Sequence, residues 1–100
     1  MTPLKILHHQ PKREQQVTTG RFELEHDGKV AYLDYSLAGN ILGLIHTEVP
    51  EELRKHGMAA KLAEAAFQYA REHNLKVDVI CPSVQHYLAA HPEYADLILR

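Results

Sequence analysis

Hydrophobic and polar residues alternate along most of the first half of the chain, which is the pattern of strands with one buried face. The alternation is clearest over residues 21–26 and 29–37, on either side of Asp27-Gly28. Both central positions of a type I′ turn need a positive φ, which Asp and Gly tolerate, so this pattern predicts a β-hairpin. The mixed stretch before it, around Leu4 to Leu7, predicts an edge strand followed by a loop.

A nearly continuous apolar run follows the turn at residues 38–40. Residues 41–49 predict a strand that is covered on both faces and central in the sheet. Pro50 ends this strand because proline donates no ladder hydrogen bond. Residues 76–81, which are rich in β-branched side chains, predict another strand before Pro82.

Between these two strands the apolar residues recur at helical spacing. Residues 58–70 place Met58, Leu62 and Ala66 on one face, which predicts a helix packed on the sheet. Asn74 is expected to end it in a left-handed conformation. A strand, a helix and a strand in this order form a crossover unit, so we expect the two strands to be parallel.

A shorter helix is expected near the end of the chain. Ser83 can cap a helix that runs from residue 84 to about Ala90 and ends before Pro92. The last residues predict a closing turn or short helix, in which Tyr94 and Leu97 close the core. The whole pattern therefore predicts an α+β fold, an antiparallel meander joined to one β-α-β unit, over residues 1–100 as a single domain.

Composition and charge narrow the function. The chain has 100 residues and a net charge of −2, so a strongly basic surface for nucleic acid is not expected. No apolar run approaches the roughly 20 residues of a membrane span. The single cysteine, Cys81, and a start without an apolar signal region predict a cytoplasmic protein. Because so small a domain has a thin stability margin, we expect a monomer or a weak homodimer that a ligand stabilises.

A basic turn joins the apolar strand to the helix. Arg54, Lys55 and Lys61 add positive charge beside a helix N-terminus, and Gly57 lets a ligand approach the backbone. This arrangement suits an anion such as a diphosphate, although an ordinary solvated loop has the same composition. The glycine patterns of Walker and dinucleotide-binding loops are absent from the sequence, so nucleoside triphosphate binding is not expected.

The same turn resembles a known family. Arg54-x-x-Gly57-x-Ala59 matches the Q/R-x-x-G-x-G/A pyrophosphate signature of the GNAT acetyltransferases, after a strand and at a helix start. Three further segments resemble a very short GNAT-like subfamily: His46–Pro50, Cys81–Val84 and Tyr87–Tyr94. The resemblance covers roughly residues 21–99.

The resemblance implies a truncated GNAT fold that binds acetyl-CoA or coenzyme A. The pantetheine arm would lie between the two parallel strands, which would separate after Val49 and Cys81. The implied cofactor-binding residues are Val49, Arg54, Lys55, His56, Gly57, Met58, Ala59 and Ala60. The sequence lacks the two early helices that form part of the acceptor site in longer relatives, so the acceptor amine, on a small molecule or a protein, is left open.

Acetyl transfer to an amine needs a base, donors for the thioester oxygen and an acid for the thiolate. His46 and Glu48 share a strand face and can supply the base; otherwise Glu48 is solvated and His46 is packed. Cys81 can line the site or act as a nucleophile, although a buried structural cysteine is commoner. By the resemblance, Tyr87 can act as the acid, or it packs the last helix.

Two other classes of function compete with this enzyme. One is a non-catalytic module that binds CoA without an acceptor site, and the other is a protein-interaction domain without CoA affinity. A metal is not expected, since His86 and His91 lack further ligands at suitable spacing. His46-x-Glu48 is similar to part of a zinc deaminase motif, but the second cysteine of that motif is missing.

Overall fold

The computed structural model of the protein describes residues 6–14 and 17–99, in which five strands form one sheet in chain order. The strands are β1 (Ile6–Glu14), β2 (Val17–His26), β3 (Lys29–Ala38), β4 (Ile41–Glu48) and β5 (Lys76–Val79). The first four pair antiparallel, whereas β4 and β5 are parallel. The predicted meander and its β-α-β extension are both confirmed.

The hairpin of β2 and β3 has the turn that its sequence predicts. Asp27 and Gly28 have φ angles of 52° and 75°, the left-handed values that a type I′ turn needs at both positions. β2 begins at Val17, earlier than the alternation indicates. β1 is an edge strand as predicted, but it continues to Glu14 through residues that were predicted to form a loop, with a register shift between His9 and Lys12. Residues 1–5, which include the start of the predicted edge strand, lie outside the described residues.

In the part of the chain that the structure describes, two α-helices and two 3₁₀ helices accompany the sheet. They are a 3₁₀ helix at Glu51–His56, α1 (Met58–Glu72), α2 (Pro82–Ala90) and a second 3₁₀ helix at Pro92–Leu97. Asn74 follows α1 with a φ of 56°, which confirms the predicted left-handed stop. After the last 3₁₀ helix, Ile98 forms a single parallel bridge with Val77 on β5.

The predicted start of α2 is wrong by two residues. Cys81 occupies the N-cap position and Pro82 the first helical position, so Ser83 lies inside the first turn. No side-chain capping hydrogen bond forms there. Proline is favoured at the first helical position, because its φ is already helical and the amide that it lacks would have no intrahelical partner.

The core lies between one face of the sheet and the helices. α1 contacts β2, β3, β4 and β5, and α2 packs against α1 and against β4 and β5. Tyr94 and Leu97 are buried as predicted. Phe67, which the helical pattern had not placed on the buried face, is fully buried and stacks on Tyr94, with 4.9 Å between ring centroids.

β4 is an interior strand, but the prediction that both of its faces are covered is wrong beyond Leu44; before that point Gly43, on the opposite face, is buried too. Leu42 and Leu44 are buried in the core, whereas Ile45 is 41% exposed. The register with β3 passes from Tyr35 opposite Leu44 to Asp34 opposite His46, so Ile45 forms a bulge. β4 is also fourth in the sheet rather than central.

Candidate functional site

The bulge at Ile45 reverses which face of the sheet each of the last residues of β4 occupies. In a regular strand, alternation from the buried Leu44 would place His46 toward the helices. The extra residue places Thr47 on that side instead, so that His46 and Glu48 share the opposite face. The end of β4 therefore presents a hydroxyl toward the helices and an imidazole and a carboxylate away from them.

β4 and β5 separate earlier than the resemblance implied. Their last paired residues are Leu44 and Val79, rather than residues near Val49 and Cys81. The amides of Ile80 and Cys81 both donate to the carbonyl oxygen of Leu44, at 3.0 and 2.9 Å. Because two successive amides share one acceptor, the β4–β5 ladder ends here and the segment after β5 turns into α2. β4 itself continues to Glu48.

A cavity of about 320 Å³ lies beside the end of β4, which is a size typical of the smaller ligand sites. Its walls come from β4, from the segment before α1 and from the first turns of both helices. The lining residues are Thr47, Glu48, Val49, Arg54, Gly57, Met58, Ala59 and Ser83. The N-termini of α1 and α2 therefore face the same cavity, and each contributes partial positive charge there.

Arg54 and Gly57 shape the entrance to α1. The Arg54 guanidinium donates through Nε to the Val49 carbonyl oxygen at 3.3 Å, which places its positive charge at the cavity. Gly57 has a φ of 65°, and no atom lies within 4 Å of the position that a side chain would occupy. No side-chain capping hydrogen bond forms at the start of α1. The turn thus combines open space, a guanidinium and uncapped amides.

Cys81 lies behind the wall of the cavity rather than in its lining. It is 3% exposed, and its Sγ is 3.4 Å from Oγ1 of Thr47. Burial raises the pKa of the thiol, but Thr47 and the nearby amides of Val84 and Ser83 outweigh burial, so the pKa lies below its ordinary value. The amides exert this effect without completing a capping hydrogen bond.

His46 and Glu48 form a hydrogen-bonded pair on the exposed side of β4. The His46 Nε2 lies 3.1 Å from Oε2 of Glu48, and about half of each side chain is exposed. Glu48 lines the cavity, whereas His46 does not. The edge of the His46 ring faces Tyr32, which in turn lies under the Arg21 guanidinium at 3.9 Å. The pair thus borders the cavity and remains open to solvent.

Tyr87 belongs to an aromatic cluster on the helical side and does not line the cavity. Its ring stacks on His91 and Phe67, with centroid distances of 4.1 and 6.1 Å. Burial, followed by the neighbouring Tyr94, raises the pKa of the Tyr87 hydroxyl to about 12. The hydroxyl is therefore protonated throughout the neutral range.

The structure brings together most of the residues proposed for the cofactor. Val49, Arg54, Gly57, Met58 and Ala59 line the cavity, whereas Lys55, His56 and Ala60 do not. Sequence reasoning missed Thr47 as a site residue and assigned Ser83 only a capping role. Pro82 was a usable signal for Ser83, because proline marks the first helical position. Thr47 carried no such signal, since its direction depends on the bulge.

Within residues 6–14 and 17–99, no group of three or more histidine, cysteine or acidic side chains is arranged to hold a metal ion. None of the helices in that part of the chain is long and apolar enough to span a bilayer.

The meander, the parallel strand pair and the glycine turn at the start of α1 define a fold of the acyltransferase class. Residues 21–97 match the family described as GCN5-related N-acetyl-transferase. The chain therefore belongs to the GCN5-related N-acetyltransferase, or GNAT, family. The resemblance expected from Arg54, Gly57 and Ala59 is confirmed.

Similar proteins in animals carry the name Protein NATD1. The mouse (Mus musculus) protein is 33% identical over 90 residues, which cover 90% of this chain and 78% of the relative. The human (Homo sapiens) protein is 34% identical over 90 residues, with 90% and 76% covered. The zebrafish (Danio rerio) protein is 32% identical over 100 residues, with 98% and 87% covered. These relatives confirm the expected likeness to the short GNAT-like subfamily.

A solved structure has the same architecture. It is the NMR solution structure of a GCN5-like putative N-acetyltransferase from Staphylococcus aureus, which is 29% identical to this chain. The two superpose with a TM-score of 0.65 over 90% of this chain and 87% of that one. The predicted GNAT fold class is thereby confirmed.

Proposed function

We propose that this protein binds acetyl-CoA in the cavity at the end of β4 and transfers the acetyl group to an amine. The observation that carries the proposal is the convergence of two uncapped helix N-termini and Arg54 on one cavity, beside the point where β4 and β5 separate. An anionic cofactor with a long arm needs both features. Family membership supports the same cofactor.

The pyrophosphate is assigned to the turn at the start of α1. Its oxygens would accept hydrogen bonds from the backbone amides of residues 57–60, and Arg54 would supply a charge-assisted contact. Lys55 and His56 lie on the exposed 3₁₀ helix just before the turn, where they add positive or polar groups around the phosphates. Val49 provides an apolar contact at the other end of the same wall.

The pantetheine arm is assigned to the gap beside β4. Thr47 and Ser83 both line the cavity, one from β4 and one from the first turn of α2. Their hydroxyl groups can bond to the amides of the arm, and the start of α2 lies near where the thioester would end. Its amides are suited to the charge that develops on the thioester oxygen during transfer.

Glu48 is proposed as the group that accepts the proton of the incoming ammonium, with His46 as its hydrogen-bonded partner. The neutral amine attacks the thioester carbon, a C–N bond forms and the C–S bond breaks. Coenzyme A leaves as a thiolate, which takes up the proton that the amine nitrogen gives up as it becomes an amide. Glu48 suits the first step because it both lines the cavity and is open to solvent. Tyr87 remains the proposed acid, although its place in the aromatic stack favours a packing role.

Direct transfer is favoured over an acetylated Cys81. The thiol has a lowered pKa, which is a property of nucleophilic cysteines, but Cys81 is 3% exposed and does not line the cavity. A covalent step would require Cys81 to move into the cavity.

The acceptor amine, the cellular compartment and the oligomeric state are also proposals. No helix covers the outer face of the sheet in the described residues, which favours an amine that arrives on a larger molecule or on a small one with open access. We place the reaction in the cytoplasm, where a lone thiol such as Cys81 stays reduced. The chain is proposed to act as a monomer or a weak homodimer.

A second candidate is a CoA-binding module without turnover. The exposure of both His46 and Glu48 favours it, because a catalytic base usually works in a site from which water is excluded. A protein-interaction domain without CoA affinity is the third candidate, and the uncovered sheet face is the feature that favours it.

A thermal melt separates these candidates. The melting temperature is measured with acetyl-CoA, desulfo-CoA or ATP. At about 100 times its dissociation constant, a ligand of the native state should raise the midpoint by roughly ten degrees in a domain of this size. A shift with the CoA compounds but not with ATP supports the cofactor, and CoA release with a panel of amines then supports the enzyme. Binding without release supports the module, and the absence of any shift at millimolar ligand rejects both.

A further inference from the structure

The gap between β4 and α2 is spanned by one side-chain contact that the proposed chemistry does not use. Thr47 lies on β4 beyond the last residue of β4 that pairs with β5. Cys81 is the residue at which the segment after β5 turns into α2. Their side chains meet at 3.4 Å, between Oγ1 and Sγ. The contact therefore joins two segments whose backbones have already separated.

The contact works in either ionisation state of the sulfur. As a thiol, Cys81 donates to the Thr47 hydroxyl oxygen; as a thiolate, it accepts the hydroxyl proton instead. The backbone amides of Ser83 and Val84, at the start of α2, also favour the ionised sulfur. A sulfur with both a hydroxyl and amide donors near it is stabilised in its ionised form.

Besides its contact with Cys81, the Thr47 side chain also borders the cavity. It lines the cavity, whereas Cys81 does not, so the threonine is the member of the pair that a ligand in the cavity would contact. The bulge at Ile45 is what turns Thr47 in this direction. A bulge at the end of a strand is a common device for re-aiming a side chain beside a functional site.

We propose that Thr47 is a positioning residue for Cys81, whose hydroxyl holds the sulfur against the wall of the cavity and ties β4 to the start of α2. This inference deepens the proposed function, because it concerns the wall of the same cavity. The threonine methyl supplies packing and the hydroxyl supplies the link to sulfur. Only the second of these is lost when the side chain becomes valine.

The test is a pH titration of the sulfur. Protein labelled with ¹³C at the cysteine β-carbon gives one signal, because the chain has a single cysteine. The chemical shift of that carbon reports ionisation of the thiol. The titration is recorded for the unaltered protein and for Thr47→Val, Thr47→Ser and Thr18→Val. The Thr18 hydroxyl on β2 donates to the Leu37 carbonyl oxygen on β3 at 3.3 Å, so its removal controls for loss of a strand hydroxyl.

In Thr47→Val the titration midpoint should move to higher pH, and the thiolate fraction near neutral pH should fall several-fold. Thr47→Ser should titrate like the unaltered protein, because it keeps the hydroxyl, and Thr18→Val should do the same. Glu48 and Arg54, the charged side chains that line the neighbouring cavity, are present in every variant, so their effects cancel in the comparison.

An unchanged midpoint in Thr47→Val overturns the proposal. So does an equal shift in Thr47→Ser, since that would assign the effect to the methyl group. Thermal melts of each variant verify the fold, and Thr47→Ala replaces Thr47→Val if the latter does not fold. The acetyl-CoA melt of the unaltered protein is read separately. Its failure would reject the proposed cofactor, while the titration would still decide the role of Thr47.

Discussion

Gly20 on β2 lies directly opposite Tyr35 on β3, and the ring of Tyr35 occupies the space that a side chain at residue 20 would need. Tyr35 is fully buried, and burial raises the pKa of its hydroxyl to about 12. Its hydroxyl lies 2.5 Å from Nε2 of His8 on the edge strand β1. The absence of a side chain at Gly20 thus allows the Tyr35 ring to lie across β2 and connect β3 to β1.

We expect Gly20→Ala to destabilise the protein by about 1–3 kcal/mol, because the buried ring of Tyr35 has no space into which it can move. The free energy of unfolding in urea measures the loss. Gly43→Ala is the matched control, since a side chain there would meet the Ser36 Oγ at 2.8 Å, and a hydroxyl can rotate away. Equal losses at the two positions would contradict the explanation.

Substitution of Gly57 tests the pyrophosphate turn. Gly57→Asn keeps a residue type that tolerates the left-handed conformation, as Asn74 does here, but adds a side chain to the open space beside the cavity. We expect the variant to fold and its melting shift with acetyl-CoA to fall to less than half, because the side chain obstructs the approach of the phosphates.

Valine substitutions separate the effect of backbone strain on stability from the effect of a side chain that obstructs the phosphates. Gly57→Val and Gly39→Val should each lose about 1–2 kcal/mol of stability, because both glycines have a left-handed φ, 65° and 60°. Gly39 is in the turn at the other end of β4, so its variant should keep the full melting shift with acetyl-CoA. Wild-type CoA affinity in Gly57→Asn would exclude the turn as the binding site.

Replacement of Glu48 tests the proposed base. If the carboxylate takes the ammonium proton, Glu48→Gln should lower kcat by about a hundredfold and leave acetyl-CoA binding intact. Glu25→Gln, which removes an exposed carboxylate on β2, is the control and should keep full activity. Steady-state release of CoA measures both. Full activity in Glu48→Gln would remove Glu48 from the mechanism.

Cys81→Ala distinguishes direct transfer from a covalent route. Direct transfer predicts that turnover is retained within a few-fold, although removal of a buried sulfur should lower the melting temperature by a few degrees. The observed rate of CoA release and the melting curve are compared with those of the unaltered protein. Loss of turnover in a folded variant that still binds acetyl-CoA would instead support an acetylated cysteine.

Acid should weaken the link between the end of α1 and the last 3₁₀ helix. Arg71 donates to both carboxylate oxygens of Asp96, each at 3.1 Å, and this lowers the pKa of Asp96 from its ordinary 3.8. Because the folded-state pKa is the lower one, the stabilisation is present above about pH 4 and is lost as pH falls through the folded value.

The melting temperature of Asp96→Asn should therefore lie slightly below that of the unaltered protein at pH 7, with a difference that narrows below pH 4. The difference should be small, since both side chains are exposed to solvent. Arg71→Gln should reproduce the same pH dependence. A difference that stays constant down to pH 2 would show that the ion pair does not contribute.

Local sequence rules account for most of the fold. The hairpin followed from Asp27-Gly28 and the end of α1 from Asn74, because few residues accept a positive φ. The alternating and helical periods located the strands and α1. The cavity was also anticipated in part, since Arg54, Gly57 and Ala59 are close in sequence and act through one turn.

Neighbouring residues determine where strands, turns and α1 form and which turn suits an anion, so the sequence predicts these features. Packing between distant segments determines that Ile45 bulges, that Thr47 rather than His46 faces the helices, and that Tyr87 joins an aromatic stack. A bulge is set by the register between two strands, and a stack by the contact of distant segments. Neither feature can be predicted from the spacing of residues along one segment.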